Sequence, residues 1–156
     1  MSNMPRKASR GGKLNTLISF DPGGTTGWCR FQQVPGDKFW ITMAFGQFPV
    51  EHLESVAELI QPNDVVVYEQ IQVLHLGFDP IGLQVIGAIK LWCTLEGLTY
   101  KGQSPGVLTG AKHWPELKVP SKWFTRQQHA KDAFYHGVTY IGLKNMNLTK
   151  SPACHL

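Results

Sequence analysis

Two separate stretches of the sequence each end an apolar run in an acid. Residues 17–28 read LISFDPGGTTGW, and the apolar run ends at Asp21 before a Pro-Gly-Gly sequence. Proline fixes φ and glycine accepts positive φ, so this pattern predicts a buried strand that stops at a tight turn. Residues 64–70 read DVVVYEQ, a β-branched run typical of a strand buried on both faces, and this run ends at Glu69.

A third stretch, residues 126–142, reads RQQHAKDAFYHGVTYIG and predicts a helix that carries His129 and Asp132 three residues apart. At that spacing both side chains lie on one face of a helix. Three elements that are far apart in the chain therefore each supply a group that can bind a metal ion. Taken singly, each group also fits an ordinary role: Asp21 as a turn residue, Glu69 as a solvated strand end, Asp132 as a surface charge and His129 as a structural histidine.

The elements around these residues alternate in a way that predicts how they are brought together. Strands predicted over 14–20, 28–33 and 39–48 form an antiparallel meander, and a helix over 51–60 leads into the strand at 64–70. A strand, a helix and a further strand imply a right-handed crossover and parallel pairing, so the two strand-end acids reach the same edge of the sheet. The remaining predicted elements are a helix over 79–96, a strand over 99–103, a helix that starts at Ser104-Pro105 and a final helix over 126–143.

Composition limits the class of protein. The chain has 156 residues, of which 42% are hydrophobic and 17% charged, as expected of one globular domain. A net charge of +4 is compatible with a nucleic-acid partner. The three cysteines are far apart and form no Cys-x-x-Cys pair, which argues against a zinc ribbon or a disulfide framework and favours a reducing, cytoplasmic compartment. No apolar run reaches the length of about 18 residues that predicts a transmembrane helix.

The chain is expected to divide into three parts. Residues 1–13 form a flexible basic arm, 14–143 a single domain and 144–156 a loose C-terminal end. Beyond the four candidate metal ligands, His75, His113 and His136 have no evident sequence partner and are expected to be structural or surface residues.

The three motifs together resemble those of RuvC-type Holliday-junction resolvases. ISFDPGGTTGW resembles that family's first-strand signature, VVVYEQ its fourth-strand Glu, and HAKDAF its C-terminal helix motif, in which an acid or His precedes Asp-Ala by three residues. The resemblance covers residues 14–143. It implies an RNase H-like α/β fold, with a five-stranded mixed sheet of three antiparallel strands followed by parallel strands, and flanking helices. It also implies an active site built from Asp21, Glu69, His129 and Asp132.

By the same resemblance the protein would be a homodimer that resolves four-way DNA junctions by cutting two strands symmetrically with Mg²⁺ or Mn²⁺. No membrane and no small-molecule cofactor would be involved, and a bacterial or phage-infected cell would be the setting. Two divalent ions about 4 Å apart activate water and offset transition-state charge in phosphodiester hydrolysis. Asp21 would bridge both ions, Glu69 would hold one and Asp132 the other, while His129 would bind the second ion or position the attacking water.

Members of this family commonly place an aromatic residue just after the fourth-strand Glu, where it enters the centre of the junction. Here that position is Gln72 or Val73, and the nearest aromatic residue is Phe78. The apolar loop 71–78 is therefore expected either to enter the junction, with Val73, Leu74 and Phe78 as contacts, or to be buried in a dimer interface.

Basic residues are concentrated before the final helix. The candidates for contact with the DNA backbone are Lys112, Lys118, Lys122 and Arg126. Trp114, Trp123 and Phe124 lie among them, a pattern suited to phosphates and exposed bases. Such residues in an irregular segment also commonly cap a core, and this alternative stays open.

Three other functions compete with junction resolution. The same metal site would serve an RNase H-like nuclease that cuts RNA–DNA hybrid or flap DNA. An Asp-x-Gly-x-Thr loop also cradles phosphate in sugar-kinase and actin-type folds, but those folds need two such domains. A non-catalytic nucleic-acid-binding module is the third alternative, and the presence of all four ligand-type residues argues against it.

Overall fold

The structure is a computed structural model, and it describes residues 14–71, 80–112, 119, 122–142, 145–148 and 154–155. Within these residues the elements follow in the order β1 Thr16–Asp21, β2 Thr25–Gln33, β3 Trp40–Pro49, a 3₁₀ turn Val50–His52, α1 Glu54–Leu59, β4 Val65–Glu69, α2 Ile81–Glu96, β5 Tyr100–Gln103, α3 Pro105–Lys112, α4 Gln128–Ile141 and β6 Cys154–His155.

The strands form one mixed sheet in the order β5-β4-β1-β2-β3-β6. Strand β2 pairs antiparallel with both β1 and β3, whereas β4 runs parallel to β1 and β5 runs parallel to β4. The predicted sheet of three antiparallel strands followed by parallel strands is confirmed. The two-residue strand β6 adds a sixth member beside β3, and no pattern in the sequence predicts it.

The sheet is covered on both faces, as the apolar run of β4 predicts. On one face Leu17, Phe31 and Val67 pack with Phe134 and Val138 of α4. Successive strand residues point to opposite faces, so the neighbours of these residues along β1 and β4 enter the other half of the core. That half contains Ile18, Phe20, Val66, Tyr68, Val85 and Ile89.

Two helices are shorter than the sequence predicts. In place of one helix over 51–60, the chain makes the 3₁₀ turn Val50–His52 and then the six-residue α1. The final helix was expected over 126–143 but spans Gln128–Ile141. Arg126 has φ 60° and Gln127 has φ −125°, so neither is helical, and Gly142 with φ 94° ends the helix.

A buried ion pair holds the beginning of β4. Asp64, which is 2% exposed, accepts hydrogen bonds on Oδ1 and Oδ2 from Nη1 and Nη2 of Arg30, at 2.9 and 3.0 Å. The Thr16 hydroxyl donates to Oδ1 at 2.5 Å, and the backbone N–H of Gln61 donates to Oδ2 at 2.8 Å. Arg30 also donates to the carbonyl of Leu59. Both carboxylate oxygens of Asp64 are therefore satisfied within the protein.

No helix among the residues that the structure describes is long and apolar enough to cross a membrane.

Candidate active site

Asp21 and Glu69 lie side by side at one edge of the sheet. Each is the last residue of its strand, and the parallel register of β1 and β4 places Phe20 beside Tyr68, one residue before the two acids. The side chain of Asp21 is 14% exposed and that of Glu69 is 21% exposed. The sheet therefore brings two carboxylates from distant parts of the chain to one partly open edge.

The beginning of α4 brings His129 to this edge. His129 Nδ1 lies 3.0 Å from Asp21 Oδ2, and its side chain is 47% exposed. The helix can begin here because of Gly27 on β2, the strand residue paired with Asp21. A Cβ at Gly27 would lie 1.9 Å from the backbone carbonyl of His129. Only glycine allows α4 to approach the sheet this closely, which gives the last glycine of DPGGTTG a structural reason.

The chain turns tightly after Asp21, as the sequence predicts, because β1 ends at Asp21 and β2 begins at Thr25. The turn does not use positive φ, which among the described glycines occurs at Gly36, Gly97 and Gly142. The turn is instead tied by Thr26, whose hydroxyl lies 3.3 Å from both the N–H and the carbonyl of Gly23.

Gln47, on β3, caps α4 from outside the helix. Its Oε1 accepts hydrogen bonds from the backbone N–H groups of His129 and Ala130, at 2.9 and 3.3 Å. The N-cap residue Gln127 makes no capping side-chain hydrogen bond. The first N–H groups of a helix have no partner within it, so a distant side chain takes the place of a local cap. Sequence reasoning missed Gln47, since no local signal links residues 82 positions apart.

Asp132 lies one turn further along α4. Its Oδ1 accepts a hydrogen bond of 2.9 Å from Nε2 of Gln128. Its charge is close enough to affect Asp21, whose pKa rises from its ordinary 3.8 to about 6. Burial is the main cause, and the charges of Glu69 and Asp132 raise the pKa further, while the hydrogen bond and charge of His129 lower it. The three carboxylates therefore form one electrostatically coupled group.

His136 belongs to the same edge, which corrects the expectation that it has no partner. Its side chain is wholly buried, and Nε2 lies 2.7 Å from Glu69 Oε2. Its Nδ1 lies 2.9 Å from Oε1 of Gln103, the last residue of β5. The signal was its position seven residues after His129, because two helical turns return a side chain to the same face.

As placed, the side chains do not converge on a metal ion: within the described parts of the chain, no three His, Cys, Asp or Glu side chains form such a group. His129 lies within hydrogen-bond distance of one oxygen of Asp21, and His136 within that distance of one oxygen of Glu69. The donor types nevertheless fit a divalent ion, because carboxylate oxygens and one exposed imidazole suit Mg²⁺ and Mn²⁺. The pKa of Asp21 is raised mainly by burial and further by the charges of Glu69 and Asp132, so a cation bound here would favour the ionised carboxylate.

The candidate DNA contacts are only partly within the described residues. Lys122 and Arg126 are exposed in the turn before α4, and Lys112 is the last residue of α3. Lys118, Val73, Leu74 and Phe78 lie outside the described residues, and so does most of the loop 71–78.

Of the three aromatic residues in this segment, Trp114 lies outside the described residues, and Trp123 and Phe124 are not available to bases. Both are buried, at 8% and 7% exposure. Phe124 packs against Phe45 and Phe134, with ring centroids 4.5 and 5.3 Å apart. These aromatic residues cap the core beneath α4, the alternative left open by the sequence.

The strand order, the acids at two adjacent parallel strand ends and the acid-bearing helix against the sheet define an RNase H-like α/β fold. Two solved structures of Thermus thermophilus RuvC share it. One has a TM-score of 0.58 and 13% identity, and covers 80% of this chain and 92% of that chain. The other, in complex with a Holliday junction substrate, has a TM-score of 0.54 and 14% identity over 80% and 91%.

A Fowlpox virus resolvase, solved with its substrate Holliday junction DNA, is similar with a TM-score of 0.57 and 16% identity, over 81% of this chain and 96% of that one. No protein-family model matches the sequence, and no curated protein matches it either. At these identities the likeness shows a common fold, and in the fold the resemblance to RuvC-type resolvases is confirmed.

Proposed function

We propose that the protein is a metal-dependent, structure-selective DNA endonuclease that resolves four-way junctions. One observation carries the proposal: Asp21 and Glu69 end adjacent parallel strands, and with Asp132 they form a coupled group in which the pKa of Asp21 is raised to about 6. In the described part of the chain, both strand-end acids are partnered by histidine rather than by Lys or Arg. A cation bound beside these carboxylates would offset the repulsion of Asp21 by Glu69 and Asp132, as expected of a metal-dependent site.

We assign the four ligands roles that follow from their positions. Asp21, at the end of a strand in the middle of the sheet, would be a ligand shared by two ions, while Glu69 and Asp132 would each hold one. The side chain of His129 is half exposed. It would give up its hydrogen bond to Asp21, and would then itself bind an ion or orient the attacking water. Bound Mg²⁺ or Mn²⁺ would supply an activated water and positive charge for hydrolysis of the phosphodiester.

The junction is proposed as substrate because the fold is similar to two resolvases whose structures contain Holliday junction DNA. Lys122 and Arg126, exposed just before the site, support contact with phosphates. Lys112 and Lys118 are proposed to extend this contact, and Val73, Leu74 and Phe78 to enter the junction. Paired cuts require two active sites, so we propose a homodimer, acting in DNA recombination and repair in the cytoplasm of a bacterial or phage-infected cell.

The decisive experiment compares an immobile four-way DNA junction with a matched linear duplex in Mg²⁺, Mn²⁺ or EDTA. Paired symmetric nicks in the junction alone, dependent on metal, are expected. Cleavage of RNA–DNA hybrid or flap DNA without junction cleavage would keep the metal site and replace the substrate. No cleavage of any of them would favour a non-catalytic binding module.

Asp21→Asn tests the assignment of the site. Losing a ligand of the ions is expected to slow cleavage by at least about a thousandfold, since metal-derived stabilisation is several kcal/mol. Junction binding should remain, because the basic surface is untouched. Asp37→Asn is the matched control: Asp37 is exposed in the turn between β2 and β3, at the opposite end of the strands. Cleavage that survives Asp21→Asn would show that the site is assigned wrongly.

A further inference from the structure

His136 connects three elements beneath the candidate site. It lies on α4 with no exposed side-chain surface, and its two ring nitrogens reach the last residues of β4 and β5. A carboxylate only accepts hydrogen bonds, so the Nε2–H of His136 donates to Glu69. Nδ1 then accepts a hydrogen bond, and the Gln103 amide, whose Oε1 lies 2.9 Å from Nδ1, provides the donor when its NH₂ group faces the ring. The ring is therefore held from both sides.

Glu69 needs such a partner if it is to hold a metal ion. Its side chain has three rotatable bonds and extends from a strand end, where it is 21% exposed. Among the described residues, His136 is the side chain that donates a hydrogen bond to the Glu69 carboxylate. It fixes Oε2 and leaves Oε1 free of any described side-chain partner. His136 itself cannot turn aside, because it is enclosed in the core and bound to Gln103.

We propose that His136 is a positioning residue, which orients the Glu69 carboxylate for metal binding without touching the metal or the DNA. This inference rests on the proposed metal site. Hydrogen-bonded partners behind metal-binding carboxylates typically contribute about 10–100-fold in metal affinity or activity. A histidine that only filled the core would need neither of these polar contacts. If His136 only linked α4 to the sheet, a substitute that kept the contact to Gln103 would serve as well as one that kept the contact to Glu69.

A matched pair of substitutions separates these roles. In His136→Gln the amide nitrogen stands three bonds from Cβ, like Nε2, and can still donate to Glu69. In His136→Asn the amide stands two bonds from Cβ, like Nδ1, and can reach Gln103 but not Glu69. Both variants carry a neutral amide in the same buried position, so a purely structural role predicts similar losses of stability and unchanged metal affinity.

The readout is Mn²⁺ affinity of the full-length, metal-free protein, measured by calorimetric titration, beside the midpoint of thermal unfolding. We expect His136→Asn to weaken Mn²⁺ binding about 10–100-fold and His136→Gln to stay within about threefold of the wild type. Glu69→Gln marks the full loss of that ligand. Gln103→Leu serves if His136→Asn does not fold: it loosens the ring and should lower Mn²⁺ affinity less than Glu69→Gln does.

The outcomes separate this inference from the proposed function. If the wild type cuts the junction but both His136 variants keep its Mn²⁺ affinity, the positioning role is overturned and the nuclease stands. If the wild type binds Mn²⁺ with the predicted order of variants but cuts no junction, the positioning role stands and the substrate is wrong. If the wild type binds no Mn²⁺, the metal site fails, and the positioning role fails with it.

Discussion

The two ends of the β1–β4 strand pair carry carboxylates in opposite circumstances. At one end, Asp64 is buried, and four hydrogen bonds satisfy its two oxygens, two of them from the Arg30 guanidinium. At the other end, the hydrogen bond that Asp21 accepts within the described part of the chain comes from His129, and Asp21 faces the charges of Glu69 and Asp132. Asp21 is the last residue of β1, and Asp64 directly precedes β4. The two residues are of the same type on neighbouring strands, and they differ in the side chains that surround them.

The comparison distinguishes an acid that supports the fold from one available for function. A buried carboxylate paired with a guanidinium has its charge compensated within the chain, and removing either partner leaves an uncompensated charge. A partly buried carboxylate beside two others gains from any cation that arrives from solution. Substituting the same residue type at both ends should therefore have opposite effects on stability.

Asp64→Asn should show the largest effect. It leaves the Arg30 guanidinium buried without its countercharge, which typically costs about 3–5 kcal/mol of unfolding free energy. Urea unfolding measures the loss, with Asp37→Asn as an exposed control expected to change stability by less than about 0.5 kcal/mol. A loss below about 1 kcal/mol would place Asp64 among ordinary surface pairs and remove one side of the comparison.

The titration of Asp21 should make stability depend on pH. The pKa of Asp21 rises from 3.8 to about 6 on folding, so between these values the folded state binds more protons than the unfolded state. Stability then falls with rising pH, and this contribution is present below the unfolded pKa and lost as pH rises through the folded pKa. The difference between the two pKa values corresponds to about 3 kcal/mol.

The measurement is the unfolding free energy of Asp21→Asn minus that of the wild type, in EDTA, across the acidic and neutral range. The variant should be more stable than the wild type by up to about 3 kcal/mol near neutral pH, and the gap should close near the unfolded pKa. A gap that does not change with pH would mean that Asp21 titrates in the folded state as it does in the unfolded state.

Metal should erase the repulsion at this end alone. At Mn²⁺ one hundred times its dissociation constant, the wild type should gain about 2.7 kcal/mol of stability at neutral pH. Asp21→Asn should gain much less, whereas Asp64→Asn, although less stable, should gain as much as the wild type. Calorimetric melting with Mn²⁺ or EDTA tests this, and equal gains in all three proteins would show that Mn²⁺ binds elsewhere.

The sequence could predict this edge because its main signals are local. Asp21 and Glu69 each end a β-branched or apolar run, and the i, i+3 spacing of His129 and Asp132 needs only a helix to place them together. The parallel pairing of β1 and β4 then follows from the intervening helix.

The rest of the edge depends on contacts between distant residues. The partners of His136 become apparent only once β5 lies beside β4 and α4 lies across both. The sequence around Trp123 and Phe124 left open whether they contact DNA or cap the core, and only the packing beneath α4 shows that they are buried. Asp64 was taken only as the first residue of a strand, and nothing near it in sequence shows that Arg30 reaches it from β2.

Gln47→Leu should have the smallest effect on the free energy of unfolding. It tests whether Gln47, on β3, contributes to the metal site as well as to the fold. The change leaves the N–H groups of His129 and Ala130 without their acceptor, and losing a helix cap typically costs about 1 kcal/mol. Gln33→Leu is the matched control: Gln33 accepts a bond from Asn15 in an exposed pair at the other end of β2, and its loss should cost under about 0.5 kcal/mol.

Because α4 carries His129 and Asp132, Gln47→Leu should also weaken Mn²⁺ binding, whereas Gln33→Leu should not. If Gln47→Leu lowered stability but left Mn²⁺ affinity unchanged, the cap would belong with Asp64 among the groups that support the fold.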